Sequence, residues 1–191
     1  GLADDKELMQ IFEKTYGPVK RDLRTAMDSA KSKEAAKKIK TDYISNGPEY
    51  LLVDGYNIIF AWDELKELAK DNLDAARQRL INIMCNYQGV RQCNLILVFD
   101  AYKVKGNVGE IEKYHNITIV YTKEAETADM YIEKTTNQLG KDYRVRVATS
   151  DGLEQLIILA HGALRVSASE FKYEVDVVEN AIREFITEQN T

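Results

Sequence analysis

Asn94-Leu95-Ile96-Leu97-Val98-Phe99-Asp100 decides the fold: it is an apolar run of strand length that ends on a carboxylate. So short a run, without polar alternation, reads as a strand buried on both faces, as in a parallel sheet. Tyr50-Leu51-Leu52-Val53, closed by Asp54, repeats the pattern upstream. Downstream, Ile117-Thr118-Ile119-Val120-Tyr121 and Arg144-Val145-Arg146-Val147-Ala148-Thr149 are rich in β-branched residues, and Ala163-Leu164-Arg165-Val166 is a short fifth strand. Helical spacing fills the gaps. Leu73, Ala76, Leu80, Ile83, Met84 and Tyr87 mark one helix, Ala128, Ile132 and Leu139 a second, and Leu153, Leu156, Ile157 and Ala160 a third. Phe171, Val175, Val178, Ile182 and Phe185 mark the last, with Ser167 or Ser169 as its N-cap. Parallel neighbours need crossover connections, so the pattern predicts an α/β domain of three layers, with a mainly parallel, roughly five-stranded sheet between helices.

Ahead of this domain, Leu8, Ile11, Phe12, Val19 and Leu23 recur at helical spacing, broken by Gly17-Pro18. Residues 31–40, Lys-Ser-Lys-Glu-Ala-Ala-Lys-Lys-Ile-Lys, continue as a polar helix with little to bury, read equally well as a docking element or a solvated face. Asn46-Gly47-Pro48 is the break. The expected organisation is therefore a helical linker or tail over residues 1–47 and an α/β domain over 48–191. The net charge of −5 argues against a domain that binds nucleic acid through an overall basic field. Residues 1–49 hold 10 Lys+Arg against 9 Asp+Glu, which leaves 16 against 22 for the rest, so the acidity sits in the α/β part. Apolar stretches stop well short of a membrane span, and two cysteines give no disulfide framework. A cytoplasmic chain with free Cys85 and Cys93 is expected.

The acids fall at strand exits. Asp54 follows the first strand, Asp100 the second, Asp151 the fourth, and Asp129 lies in the first turn of the helix after the third. In an open α/β sheet the site forms beyond the carboxyl ends of the strands. Each acid alone has a structural use, as a turn former or at the positive end of a helix. Asp100 is harder to explain that way, because a carboxylate after six largely apolar residues is costly to desolvate unless a cation or donors meet it. Together they form a cluster that protons or a divalent cation must balance, and oxygen-only ligation favours Mg²⁺ or Mn²⁺ over zinc.

Other chemistries lack their residues. His115 and His161 have no partner at metal-ligand spacing, neither cysteine sits at a strand exit, and there is no P-loop, dinucleotide fingerprint or Gly-x-Ser-x-Gly elbow. A second acid two residues after Asp54, as in a phosphoaspartate phosphatase, is replaced by Tyr56. What remains is metal-assisted attack of water on phosphorus. Tyr102, Lys103, Lys105, Lys113, Tyr114, His115 and Lys123 interleave aromatics with cations between Asp100 and Asp129, with Gly106 and Gly109 marking a mobile loop. That suits single-stranded RNA, and suits an ordinary solvated loop as well.

Four motifs in order, Val53-Asp54-Gly55-Tyr56-Asn57, Val98-Phe99-Asp100-Ala101-Tyr102, Tyr121 to Asp129 and Ala148-Thr149-Ser150-Asp151, resemble the NYN family of PIN-like nucleases, most closely its YacP-like bacterial branch, over about residues 50–188. The resemblance implies a PIN-like fold and an endoribonuclease whose Mg²⁺ or Mn²⁺ site is built from Asp54, Asp100, Asp129 and Asp151. Asn57 and Ser150 would be its polar supports, and the products would carry a 5′-phosphate and a 3′-hydroxyl. The resemblance leaves open whether Glu126 is a ligand or part of the helix start. Residues 7–21, Glu-Leu-Met-Gln-Ile-Phe-Glu-Lys-Thr-Tyr-Gly-Pro-Val-Lys-Arg, resemble the tail of elongation-factor-G-like, tetracycline-resistance-type ribosomal protection proteins. With no Met before Gly1, this implies a C-terminal piece of a longer GTPase translation factor, and with it the ribosome and mRNA as partners. Two rival functions stand beside this one: a catalytically idle RNA- or ribosome-binding module, and a structure-selective DNA nuclease.

Overall fold

The structure, a computed structural model, describes residues 49–101, 104, 106, 108–152 and 162–190. The helices expected before residue 48, the boundary at 47/48, the helix over 153–160 and His161 lie outside them. The chain divides into two units, Gly1–Glu49 and Tyr50–Thr191; nearly all described residues belong to the second.

Six strands, β1 (Glu49–Asp54), β2 (Asn94–Phe99), β3 (Ile111–Tyr114), β4 (Ile117–Tyr121), β5 (Arg144–Ala148) and β6 (Leu164–Val166), form one sheet in the order β3-β4-β2-β1-β5-β6. β1 with β2, β2 with β4, and β5 with β6 run parallel, whereas β3 and β4 make an antiparallel hairpin. The expected mainly parallel sheet is present with one strand more. β3 occupies part of the stretch read as a loop, and its residues are largely exposed because it lies at the sheet edge. A half-buried polar edge strand carries no apolar run to announce it. His115 at the hairpin turn takes a φ of 50°, the left-handed value that two-residue hairpins demand. Asn116 beside it donates to Cys85 O at 2.9 Å, which pins the tip.

Among the described residues the helices are α1 (Gly55–Ala61), α2 (Asp63–Asp71), α3 (Leu73–Arg91), α4 (Ala128–Leu139) and α5 (Ala168–Gln189). α3, α4 and α5 lie where the apolar spacing put them. α1 and α2 were not expected, because Asp54-Gly55 reads as a turn; instead Asp54 caps α1, accepting from Asn57 N at 3.3 Å. Ser167, rather than Ser169, caps α5: its Oγ accepts from Glu170 N at 3.2 Å and donates to Glu170 Oε1 at 3.0 Å. Strand alternation divides the core. Leu51, Val53, Leu97, Phe99 and Ile119 pack with α1, α2, α3 and α5, while Leu52, Val98, Val120 and Val147 pack with Ala128 and Ile132 of α4. Gly55 is required where α1 leaves the sheet, since a Cβ there would stand 2.6 Å from Phe99 Cδ1 and 3.0 Å from Val98 O.

One charge is built into the first of these layers. Arg146, 1% exposed, donates from Nη1 to Glu174 Oε1 and from Nη2 to Tyr87 Oη, each at 3.0 Å. The Tyr87 hydroxyl in turn donates to Glu174 Oε2 at 3.0 Å, so α3, β5 and α5 are tied by a closed triangle.

Candidate active site

The strands that flank β1 place the acids. The chain crosses from β1 to β2 on one side and later to β5 on the other, so β1 sits at the switch point where crevices form. Asp54 ends β1, buried except for 6% of its surface, with part of its acceptor capacity committed to the α1 cap. Asp100 follows β2 and accepts from Ala128 N at 2.8 Å. This bond joins the β2 exit to the first turn of α4, where Asp129 lies half-buried. A helix N-terminus offers unpaired N–H groups, and here a neighbouring strand's carboxylate takes one.

The β5 exit is fixed from two directions. Asn57 Oδ1 accepts from Ser150 N at 2.6 Å, a contact across 93 residues, and Asp151 N donates to Thr149 Oγ1 at 3.1 Å. Thr149 is fully buried and donates its own N–H to Val166 O. On the other side of the crevice, buried Thr122 receives Ala101 N at 3.1 Å. Sequence reasoning assigned neither threonine a role. The available signal is local: a threonine just before or beside a strand-exit acid, able to hold backbone that has left the ladder.

Burial raises the Asp129 carboxyl above its usual range, and the negative charges of Asp151 and then Asp100 raise it further, against a lowering hydrogen bond from its own backbone. The charges of Asp151 and Asp100 therefore reach Asp129, as expected of acids gathered at one end of a sheet. Tyr56, in the same turn as Asp54, lies over Phe99 with ring centroids 5.3 Å apart and accepts from Arg77 Nη1 at 3.1 Å. Burial raises its hydroxyl most, Arg77 lowers it, and Asp100 adds a small upward push.

The sequence of residues 51–191 matches the YacP-like NYN domain. The chain belongs to the YacP-like NYN family. It is 44% identical over 135 residues to YacP of Bacillus subtilis (strain 168), an alignment that covers 70% of this chain and 79% of that protein. A crystal structure of Rae1 (YacP) from Bacillus subtilis superposes with a TM-score of 0.65 at 41% identity, covering 73% of this chain and 80% of the other. A tryptophan-to-leucine variant of the same protein gives 0.65 at 39% identity, over 74% and 84%. The NYN domain is a nuclease-type domain.

The remaining expected residues divide. Lys113 is exposed on β3, opposite Thr118, and Lys123 is exposed in the turn between β4 and α4. Tyr102, Lys103 and Lys105 lie outside the described residues. Glu126 pairs with Lys134 at 3.0 Å. Among the described residues no three His, Cys, Asp or Glu side chains stand close enough together to hold a metal ion. The donor set nonetheless suits Mg²⁺, which keeps several waters and is bound through one or two carboxylates with substrate phosphates rather than by an all-protein cage. No described helix is long and apolar enough to cross a membrane.

Proposed function

We propose that the chain is a divalent-metal-dependent endoribonuclease, cutting single-stranded RNA by hydrolysis at the crevice beyond β1, β2 and β5. The observation that supports this most is the raised carboxyl of Asp129 facing Asp151 and Asp100, in a crevice whose walls are held by backbone bonds to Asp100 and Asn57. Acidic groups brought together without cations are destabilising in the empty protein, and a bound Mg²⁺ or Mn²⁺ would reverse that. One or two of the carboxylates of Asp54, Asp100, Asp129 and Asp151, completed by waters and a substrate phosphate, would hold the ion, which supplies water activation and screening of charge on the attacked phosphate.

The chain's own residues do the positioning. Asn57 fixes the Ser150 backbone and so the approach of Asp151 to Asp54. Asp100 holds the first turn of α4, and with it the height of Asp129 in the crevice. Asp54 is anchored through its α1 cap, which leaves it only a limited range of orientations. Lys113 and Lys123, with Lys103, Lys105 and Tyr102, would follow the RNA backbone and bases.

An acidic domain captures free RNA weakly, since nonspecific affinity comes from counterions released by Lys and Arg. We therefore place its work on mRNA at or near the ribosome, where tethering substitutes for affinity. The resemblance of residues 7–21 to ribosomal protection proteins, with the upstream GTPase it implies, stands on those residues alone, because the family match begins at residue 51.

The test is incubation with end-labelled RNA and DNA of matched sequence in Mn²⁺, then in EDTA. RNA fragments bearing 5′-phosphates, lost in EDTA, are expected. Cleavage that persists in EDTA would remove the metal from the mechanism, and equal cutting of DNA would favour the DNA nuclease.

A further inference from the structure

α4 has two flanks. Asp129 stands on one, toward the acids. Tyr131, two positions on, stands on the other, and there the helix, the β3–β4 hairpin and the turn at Lys123 enclose a cleft of about 340 Å³ lined by Ile111, Val120, Tyr131, Lys123, Lys134 and Glu126 among others. That volume is at the lower end of those that hold small ligands. Its wall is apolar where β3 and β4 face it. Ile111, at the sheet edge, is 68% exposed and offers its side chain to the cleft. Its rim is cationic: Lys123 is exposed, and Lys134 Nζ lies 5.1 Å from the Tyr131 ring centroid. Lys134 also pairs with Glu126 at 3.0 Å, with side chains 49% and 18% exposed. Half of the Lys134 side chain is open to water, so its ammonium can turn from Glu126 to an incoming phosphate.

We infer that this cleft is a nucleotide subsite, in which a base of single-stranded RNA flanking the cut packs on Tyr131 and Ile111 while its phosphate meets Lys134 and Lys123. The inference rests on the RNA nuclease reading above and extends it to residues outside the acidic crevice. The distance between the two sites supports it: Asp129 and Tyr131 are separated by one helix width, roughly 10–12 Å, so a strand crossing the α4 N-terminus reaches the cleft with a nucleotide beyond the one attacked. Charge complementarity supports it too. In a domain with 16 Lys+Arg against 22 Asp+Glu over residues 50–191, two lysines face one carboxylate here.

The experiment measures affinity for a labelled single-stranded RNA octamer and for the same sequence as a duplex, using the full chain in an Asp54→Asn background. Binding is then read without cleavage, and the result does not depend on the nuclease assignment. Tyr131→Leu, which keeps apolar packing, is expected to weaken single-strand binding about tenfold, the loss of one stacked base, while Tyr131→Phe retains it. Lys134→Gln is expected to lower the salt slope by about 0.7, one single-strand phosphate contact, and Lys141→Gln, the same charge change outside the cleft, is expected to leave it unchanged. Duplex binding is expected to be insensitive to Tyr131→Leu, because its bases are paired. Equal single-strand affinity in Tyr131→Leu and its parent, or an equal loss on duplex, overturns the subsite while leaving the nuclease reading intact. If the octamer binds as inferred but the unmutated chain cuts no RNA in Mn²⁺, the nuclease reading fails instead.

Discussion

β5 carries two kinds of charge a few residues apart. In its interior Arg146 is buried and fully engaged by Glu174 and Tyr87. Just beyond its exit Asp151 lies half-buried, adding its charge to that on Asp129. The first charge is compensated inside the fold and serves the fold. The second adds to the negative charge around Asp129, whose carboxyl is raised by burial and by Asp151 and Asp100. Backbone geometry at the site is well fixed and acidic charge gathers there, which is the arrangement expected where electrostatic stabilisation is reserved for a reacting phosphate.

The largest expected effect comes from removing the strand-exit acids. Asp54→Asn or Asp100→Asn should lower the RNA cleavage rate by about 10³-fold, with Tm held or slightly raised. Cleavage rates close to wild type in both variants would end the catalytic assignment. The opposite behaviour is expected of the compensated charge. Arg146→Ala strands Glu174 against the core, and chemical denaturation should show a loss of about 3 kcal/mol, at the lower end for a broken buried pair because Glu174 keeps some contact with water. Arg146→Met with Glu174→Leu should recover much of it. If the double variant is no more stable than the single one, the triangle owes its stability to something other than charge balance.

Asn57→Ala tests the link between the two behaviours, since it loosens a wall of the site without touching an acid. Activity should fall by about 10- to 100-fold, as for residues that orient a metal's ligands, and circular dichroism should show the fold retained. An effect as large as that of Asp54→Asn would make Asn57 a participant rather than a support. The smallest effect is expected for Asp129→Asn in metal-free buffer, a modest rise in Tm. The folded carboxyl is raised above its unfolded value, so its ionised form opposes folding at neutral pH, and removing the charge relieves that. Mn²⁺ should raise the Tm of the wild type more than that of the variant. A fall in metal-free Tm on substitution would show that the acids are not repelling one another.

The largely apolar or β-branched runs made β1, β2 and β4 legible in the sequence, and the positions of Asp54 and Asp100 at strand ends followed directly from them. Period and punctuation are local properties, written in consecutive residues. β3 escaped because an edge strand needs only one buried partner, and Ile111-Glu112-Lys113-Tyr114 shows no apolar pattern. α1 and α2 escaped because Asp54-Gly55 is a turn signal that a helix cap can equally use. The cleft beside Tyr131 was invisible for the same reason that the Asn57–Ser150 and Arg146–Glu174 contacts were: each depends on which surfaces the crossovers bring together. The sequence by itself determined an α/β sheet with three carboxylates at its strand exits and a fourth in the first turn of a following helix. Only the tertiary structure decided that two of them act on the carboxyl of Asp129, that an asparagine 93 residues away holds the Ser150 backbone beside them, and that Arg146 is silent. Charge balance in a folded chain is set by distance through space and by exclusion of water, and neither is a function of separation along the chain.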